Sequence, residues 1–109
     1  MYKLKLHKNL ESAKWQKFSV KQRELMIANE LNRAKNWIEK NDLEEVNNCY
    51  ERALELLDLT IEITKSGNRL REYLRLREMI GKLYIEKKCR PKLNNQVFNC
   101  ICTMSKEMG

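Results

Sequence analysis

The stretch NDLEEVNNCYERALELLDLT, from Asn41 to Thr60, decides the fold class because its apolar residues recur at the spacing of one helical face. Asp42, with Glu45 three residues later, is in the capping-box arrangement that marks the start of a helix. Additional leucines widen the apolar face, so we expect this helix to lie centrally and to end where Gly67 supplies a left-handed residue. The apolar stripe consists of Val46, Tyr50, Ala53, Leu57 and Ile61.

Another helix is predicted before this stretch, from about Val20 to Lys40. Ser19 and Gln22 form its capping box, and Ile27, Leu31, Ala34 and Ile38 recur on one face. A third helix is predicted from Arg69 to about Lys88, where the pair Arg90-Pro91 stops it because the residue before proline avoids helical geometry. Its apolar stripe is Leu70, Tyr73, Leu76, Ile80, Leu83 and Tyr84.

Both connections between these helices are short, Lys40-Asn41-Asp42 and Ser66-Gly67-Asn68. Helices joined in this way lie antiparallel. We therefore predict an all-α single domain over residues 1–109, an antiparallel bundle of three long helices spanning residues 19–88. Residues 1–18 form an N-terminal arm, with Trp15 and Phe18 covering the open end. Residues 92–108 form either a short fourth helix or an irregular docked tail.

Two charged stripes flank the predicted core. Glu51, Glu55, Asp58 and Glu62 follow one face of the second predicted helix, counted along the chain, and Arg71, Arg75, Glu78 and Lys82 follow one face of the third. In one interpretation the stripes meet as a ladder of ion pairs, each worth about 0–1 kcal/mol at a surface. In the other, the basic side chains face the acidic groups of a partner.

The formal net charge is +7, with an acidic middle between two basic flanks. Basic clusters bind acidic proteins or nucleic acids, and the second possibility needs aromatic platforms beside them. Protein binding is the leading prediction and nucleic-acid binding is the alternative. The predicted partner-binding residues are Arg69, Arg71, Arg75, Lys82, Lys87, Lys88, Arg90 and Lys92.

An apolar docking surface is also predicted, because some apolar residues of the central helix fall outside its main stripe. The C-terminal tail, a second copy of the chain or a partner's amphipathic helix are the possible occupants. The sequence thus predicts an interaction module, an adaptor or a self-associating protein. The residues of this surface are Leu43, Leu56, Leu59 and Ile63.

No catalytic site, metal site or cofactor is expected. The single histidine, His7, lies in the predicted arm, and the chain has no glycine-rich phosphate loop or nucleophile turn. Cys89, Cys100 and Cys102 are close in sequence, but they lack the spacing of zinc knuckles and are expected to be small apolar fillers. Without a stretch of about 20 apolar residues or a signal-like apolar run, we expect a cytoplasmic protein with free thiols.

The hairpin around the opening stretch resembles a tetratricopeptide repeat. The residues that carry the resemblance are Ala34, Trp37, Asn41-Asp42, Tyr50 and Ala53-Leu54. Val46 and Asp58 depart from that pattern, and no second copy follows at a 34-residue period. Residues 30–88 are similar in outline to a microtubule-interacting-and-trafficking domain, and most of the chain resembles a family of small uncharacterised bacterial proteins. These resemblances imply a helical bundle and no particular activity.

Overall fold

Four helices contain nearly all the residues that the computed structural model describes, which are 15–64, 67–86 and 90–107. They are α1 (Val20–Glu39), α2 (Leu43–Ile63), α3 (Asn68–Glu86) and α4 (Pro91–Glu107). No strand occurs within these three ranges. The predicted all-α class is confirmed, and the first three helices lie close to their predicted positions.

The fourth helix is nearly as long as the others, with 17 residues against 19 to 21. The fourth helix, which was predicted as possible and short, is therefore present and longer than predicted, and residues 91–107 do not form the irregular tail that was the alternative. Pro91 is the first residue of α4, a position where the missing amide hydrogen costs nothing. Pro91 thus marks the start of α4.

The predicted caps account for where α1 and α2 start. The Gln22 amide donates to Ser19 Oγ at 3.1 Å and the Ser19 amide donates to Gln22 Oε1 at 2.8 Å, so the predicted capping box is present. At the start of α2, the Glu45 amide donates to Asp42 Oδ1 at 3.2 Å. These bonds satisfy backbone donors that have no partner inside the helix.

The prediction that Gly67 ends α2 was wrong. Helix α2 ends at Ile63 with Thr64 as its C-cap, and Gly67, with φ at 106°, lies directly before α3. The residue that takes the left-handed conformation after a helix is Asn41, with φ at 59°, just beyond Lys40 at the end of α1. Asparagine adopts this conformation more readily than most side chains, which suits it to the sharp turn into α2.

Each helix packs against two others to enclose one core. Helix α1 contacts α2 and α4 most extensively, α2 also contacts α3, and α3 contacts α4 less extensively. Trp15 is fully buried, and its indole Nε1 donates to Thr60 Oγ1 at 2.9 Å, which attaches the segment before α1 to α2. The largest buried aliphatic side chains, those exposed by less than 2%, are Ile27, Leu31, Val46, Leu57, Ile80, Leu83 and Ile101.

A buried polar cluster, which we call the Glu24 cluster, joins α1, α3 and α4. Glu24 is 1% exposed, and its carboxylate accepts hydrogen bonds from Arg69 Nε at 2.9 Å, Arg69 Nη2 at 3.0 Å and the Tyr73 hydroxyl at 2.6 Å. Arg69 Nη2 also donates to the Met104 carbonyl at 2.9 Å. The cluster consists of Glu24, Arg69, Tyr73 and that carbonyl. Because its carboxylate is fully partnered, burial of the charge is tolerated.

A second buried amide joins α1, α2 and α4. Asn94 is fully buried, its Oδ1 accepts from the Tyr50 hydroxyl at 2.9 Å, and its Nδ2 donates to the Leu31 carbonyl at 3.0 Å. A buried amide that is satisfied on both sides fixes the rotation of its helix, because another rotation leaves polar atoms unpaired. Asn94 therefore sets which face of α4 meets α1.

The Glu24 cluster yields a first prediction. Glu24→Ala should lower the free energy of unfolding by about 3 kcal/mol, because it leaves a mostly buried guanidinium without its carboxylate. Tyr73→Phe should cost about 1–2 kcal/mol, for one hydrogen bond to a charged group. Arg33→Ala is the control, because the Arg33 side chain is 63% exposed and reaches Glu30 only at 3.8 Å. We expect that control to change stability by less than about 1 kcal/mol in urea denaturation. Equal losses of unfolding free energy in all three variants would contradict a stabilising role of the Glu24 cluster.

Tyr73 yields a second prediction, in alkaline solution. Burial, followed by the hydrogen bond to Glu24, raises the pKa of Tyr73 above its usual value. The native state therefore keeps the phenol proton at a pH where the unfolded chain loses it, so this part of the stability is present below pH of about 10 and is lost as pH rises. Between pH 9 and pH 11 the wild type should lose about 1 kcal/mol more than Tyr73→Phe. Parallel pH profiles of the two proteins would show that the phenol is not held in this way.

Candidate docking surface on the third helix

The predicted apolar docking surface on α2 is not a continuous exposed patch. Leu56 and Leu59 are 2% and 6% exposed, and Ile63 is half-buried against the core. Leu43, at the start of α2, is 46% exposed and stands apart from them. Leu56 and Leu59 are covered because α2 is buried around most of its circumference, and even Glu55 is fully buried.

The predicted basic residues separate into several environments. Arg69 belongs to the Glu24 cluster and is not available to a partner as a surface cation. Arg90 pairs with Glu86, the Arg90 Nε lying 3.2 Å from Glu86 Oε2. Lys92 is exposed at the start of α4. Lys87 and Lys88 lie outside the described residues. Of the predicted cations that the structure describes, only Arg71, Arg75 and Lys82 share one exposed face of one helix.

The predicted ladder between α2 and α3 does not form from the predicted residues. Asp58 pairs with Arg77, and Glu51 accepts from the Tyr84 hydroxyl at 3.4 Å. Within the described ranges, Arg71, Arg75 and Lys82 make no ion pair with a carboxylate. At 100° per residue they lie on the far side of α3 from the buried residues Tyr73, Leu76 and Ile80, which is too far around the helix to face α2.

These three cations share the outer face of α3 with exposed apolar side chains. Leu74 is 47% exposed and Ile85 is 77% exposed. Gly81 lies between them, and a Cβ placed on it would meet no atom within 4 Å. Two shallow hollows run along this face and have Arg77 and Glu78 in common. We call this the α3 surface, and it consists of Arg71, Leu74, Arg75, Glu78, Gly81, Lys82 and Ile85.

Sequence reasoning found the cations of the α3 surface but missed its apolar component. The sequence did contain a signal for the exposure of Leu74 and Ile85, because both fall outside the apolar stripe that predicted the core. At steps of seven and four along α3, Leu74, Gly81 and Ile85 lie on one strip beside the basic stripe. The α3 surface therefore combines exposed apolar side chains with positive charge.

A second basic hollow lies between α1 and α2, lined by Arg33, Asn36, Trp37, Lys40, Glu45 and Arg52. The Lys40 ammonium lies 4.9 Å from the centre of the Trp37 ring, and the Arg52 Nε lies 3.0 Å from Glu30 Oε1. These cations already have partners within the chain. This hollow is therefore a weaker candidate for a binding site than the α3 surface.

The cysteines are placed separately. Cys49 is buried, and this burial raises the pKa of its thiol. Cys100 is exposed and Cys102 is half-buried on α4, while Cys89 lies outside the described residues. In the part of the chain that the structure describes, no three His, Cys, Asp or Glu side chains are grouped so that they could hold a metal ion.

Comparisons with known proteins found no family model, no curated protein and no solved structure that matches this chain. The likenesses to tetratricopeptide repeats and to microtubule-interacting-and-trafficking domains therefore remain predictions. Among the described residues, no helix is long and apolar enough to cross a membrane.

The cysteines yield a third prediction. With the other cysteines replaced by serine or alanine, a chain retaining only Cys100 should react with a maleimide at the rate of a free thiol. A chain retaining only Cys49 should react at least about 100-fold more slowly, because the thiol must wait for local opening and its thiolate is disfavoured. In 8 M urea the two rates should become similar. A fast native reaction at Cys49 would contradict its burial.

Proposed function

We propose that this chain is a non-catalytic helical module that binds another protein through the α3 surface. One observation carries the proposal. Ile85 and Leu74 are 77% and 47% exposed beside Arg71, Arg75 and Lys82, which have no ion-pair partner among the described residues. Exposed apolar side chains that form one strip, bordered by charges, are typical of protein-binding surfaces.

We further propose that the scaffold is an antiparallel bundle of four helices. Three sets of side-chain contacts support the antiparallel arrangement. Between α2 and α3, Glu51 meets Tyr84 and Asp58 meets Arg77, so the positions along the two helices run in opposite directions. Arg52 contacts Glu30 and Thr60 contacts Trp15. Positions along α2 therefore also run opposite to positions along residues 15–39, which include α1. Leu31 meets Asn94, and Glu24 is linked through Arg69 to Met104, which supports the same order for α1 and α4.

The α3 surface suits a partner that presents apolar side chains next to carboxylates. Leu74 and Ile85 supply apolar area, and the neighbouring cations attract acidic groups and exclude basic ones. Such a bundle positions the surface rigidly, because the opposite side of α3 is held by Tyr73, Leu76 and Ile80 in the core. A rigid face loses little conformational entropy when it binds.

Nucleic-acid binding, the alternative from the sequence, has less support. It requires aromatic platforms beside the cations, and Tyr84 is half-buried with its hydroxyl directed to Glu51. If nucleic acid does bind, its affinity should fall steeply as salt is raised from 50 to 200 mM, and replacing Leu74 and Ile85 should have no effect on it.

A fourth prediction tests the docking function by site-specific photocrosslinking in the cells that make the protein. A benzophenone side chain replacing Lys82 should give a covalent adduct with a second polypeptide. The same side chain replacing Asn29, which is exposed on α1, should give none. Leu74→Glu with Ile85→Glu should abolish the adduct at position 82 and change stability by less than about 1 kcal/mol, because Leu74 is about half exposed and Ile85 mostly exposed.

The outcomes of this experiment are decisive. An adduct from position 82 that survives the two glutamate substitutions would contradict apolar docking at the α3 surface. If position 82 gives no more adduct than position 29, the proposed function is overturned. Circular dichroism of the double variant is the control for folding, and it should match the wild type.

A further inference from the structure

A polar hollow of about 260 Å³ lies between α1 and α4, and the described residues that line it all belong to these two helices. It is thus separate from the α3 surface. Its volume is close to the lower end of the ~300–1,000 Å³ range of small-molecule pockets. The hollow therefore has the size for one small molecule and not for a folded partner.

Carboxamide side chains dominate the lining of this hollow. Four of the chain's 11 asparagines line it, which are Asn32 from α1 and Asn94, Asn95 and Asn99 from α4. All except Asn94 are exposed at interior positions of their helices. Asparagine is a weaker helix former than the lysine, arginine and glutamate found at many other exposed helical positions of this chain. Helix stability therefore does not account for their concentration at one place.

Asn94 is the buried member of this set, and its carboxamide is held in a fixed orientation. It is fully buried, its Nδ2 donates to the Leu31 carbonyl at 3.0 Å and its Oδ1 accepts from the Tyr50 hydroxyl at 2.9 Å. These two bonds leave one amide hydrogen and one oxygen lone pair unused. Asn94 therefore adds a preorganised donor and acceptor to the hollow.

The charge around the hollow favours an anion. Lys35 is exposed and lines it, and none of the described residues in its lining is acidic. The first turn of α4 also holds no acidic residue, so no side chain there offsets the positive end of the helix dipole. A ligand with a negative group is thus attracted, whereas an ammonium group finds no carboxylate to bind.

The apolar part of the lining favours a flat ring. Phe98 is half-buried against the core and lines the hollow beside the carboxamides. Aromatic side chains stack on nucleobases, and asparagine makes two hydrogen bonds with one edge of adenine. Guanine is read by arginine or lysine and cytosine by carboxylates, and no described arginine, aspartate or glutamate lines this hollow. Adenine is therefore the base that the carboxamides match best.

We propose that the hollow between α1 and α4 binds an adenine nucleotide. The base lies against Phe98 and pairs with the carboxamides, and the phosphate lies toward Lys35. This site goes beyond the proposed docking function and does not depend on it.

The fifth prediction is a titration of the full chain with adenosine 5′-monophosphate (AMP), followed by NMR of the side-chain amide groups. The signals of Asn32, Asn95 and Asn99 should shift together and saturate. Adenosine, ribose 5-phosphate, and the guanine and cytosine monophosphates should each bind about tenfold more weakly than AMP, because each lacks one set of contacts. No saturable shift at about 5 mM AMP, above the ~1 mM dissociation constant of weak binding, overturns the proposal.

Two other outcomes of the titration also overturn the proposal. If ribose 5-phosphate binds as tightly as AMP, the hollow is an anion site without recognition of a base. If a single-stranded oligoadenylate binds more than about tenfold more tightly than AMP, the ligand is a nucleic acid strand and not a free nucleotide.

Substitutions separate recognition from folding. Asn99→Ala should weaken AMP binding about tenfold and raise the urea midpoint, because alanine is the better helix former. Lys35→Met should weaken binding of AMP and leave binding of adenosine unchanged. The matched control is Asn29→Ala, since Asn29 is exposed on α1 but does not line the hollow. It should also raise the urea midpoint and leave AMP binding unchanged. Equal AMP affinities of the Asn99→Ala and Asn29→Ala variants would contradict the site.

Discussion

Burial of the Glu24 carboxylate is the constraint on which the arrangement of helices most depends. A charge that is 1% exposed must be matched by donors, and here they come from Arg69 and Tyr73 on α3, while the same guanidinium binds the carbonyl of Met104 on α4. Apolar packing alone tolerates several rotations and offsets of a helix, whereas this cluster is satisfied in only one. It also connects α3 to α4, the two neighbours with the least direct contact. The cluster therefore determines position more than it adds net stability.

The position of the Glu24 cluster has a consequence for the outer side of α3. Arg69 and Tyr73 point inward, so the residues about half a turn away are forced outward, and these include Arg71, Leu74 and Arg75. Asn94 acts similarly on α4 by bonding to both Tyr50 and Leu31. Buried polar contacts thus specify which faces of α3 and α4 remain exposed. Their exposure is a property of the whole fold and not of α3 alone.

Periodicity in the sequence predicted the helices, their capping at Ser19 and Asp42, and the all-α class, because these depend on residues close together in the chain. It did not predict the role of Arg69, which looked like one more surface cation. Its partner, Glu24, is 45 residues away, and no local pattern reports such a contact. Local spacing was equally silent on the burial of the predicted docking residues. Leu56 and Leu59 lie off the main stripe of α2, yet they are buried because α2 is enclosed on several sides.

The charges on α3 illustrate why local spacing identifies a surface without identifying what it faces. Arg71, Arg75 and Lys82 are one helical stripe, and the sequence left open whether they pair with α2 or face outward. The pairing of Asp58 with Arg77 and the contact of Glu51 with Tyr84 resolve this, because they occupy the α2 side of α3 with other residues. The stripe then lies beside Leu74 and Ile85. The hypothesis that its charges stabilise the fold through ion pairs with α2 thus gives way to the hypothesis that they take part in recognition. In a protein-binding surface, cations of this kind add specificity, since a partner with the wrong sign is repelled at the same positions that attract the right one.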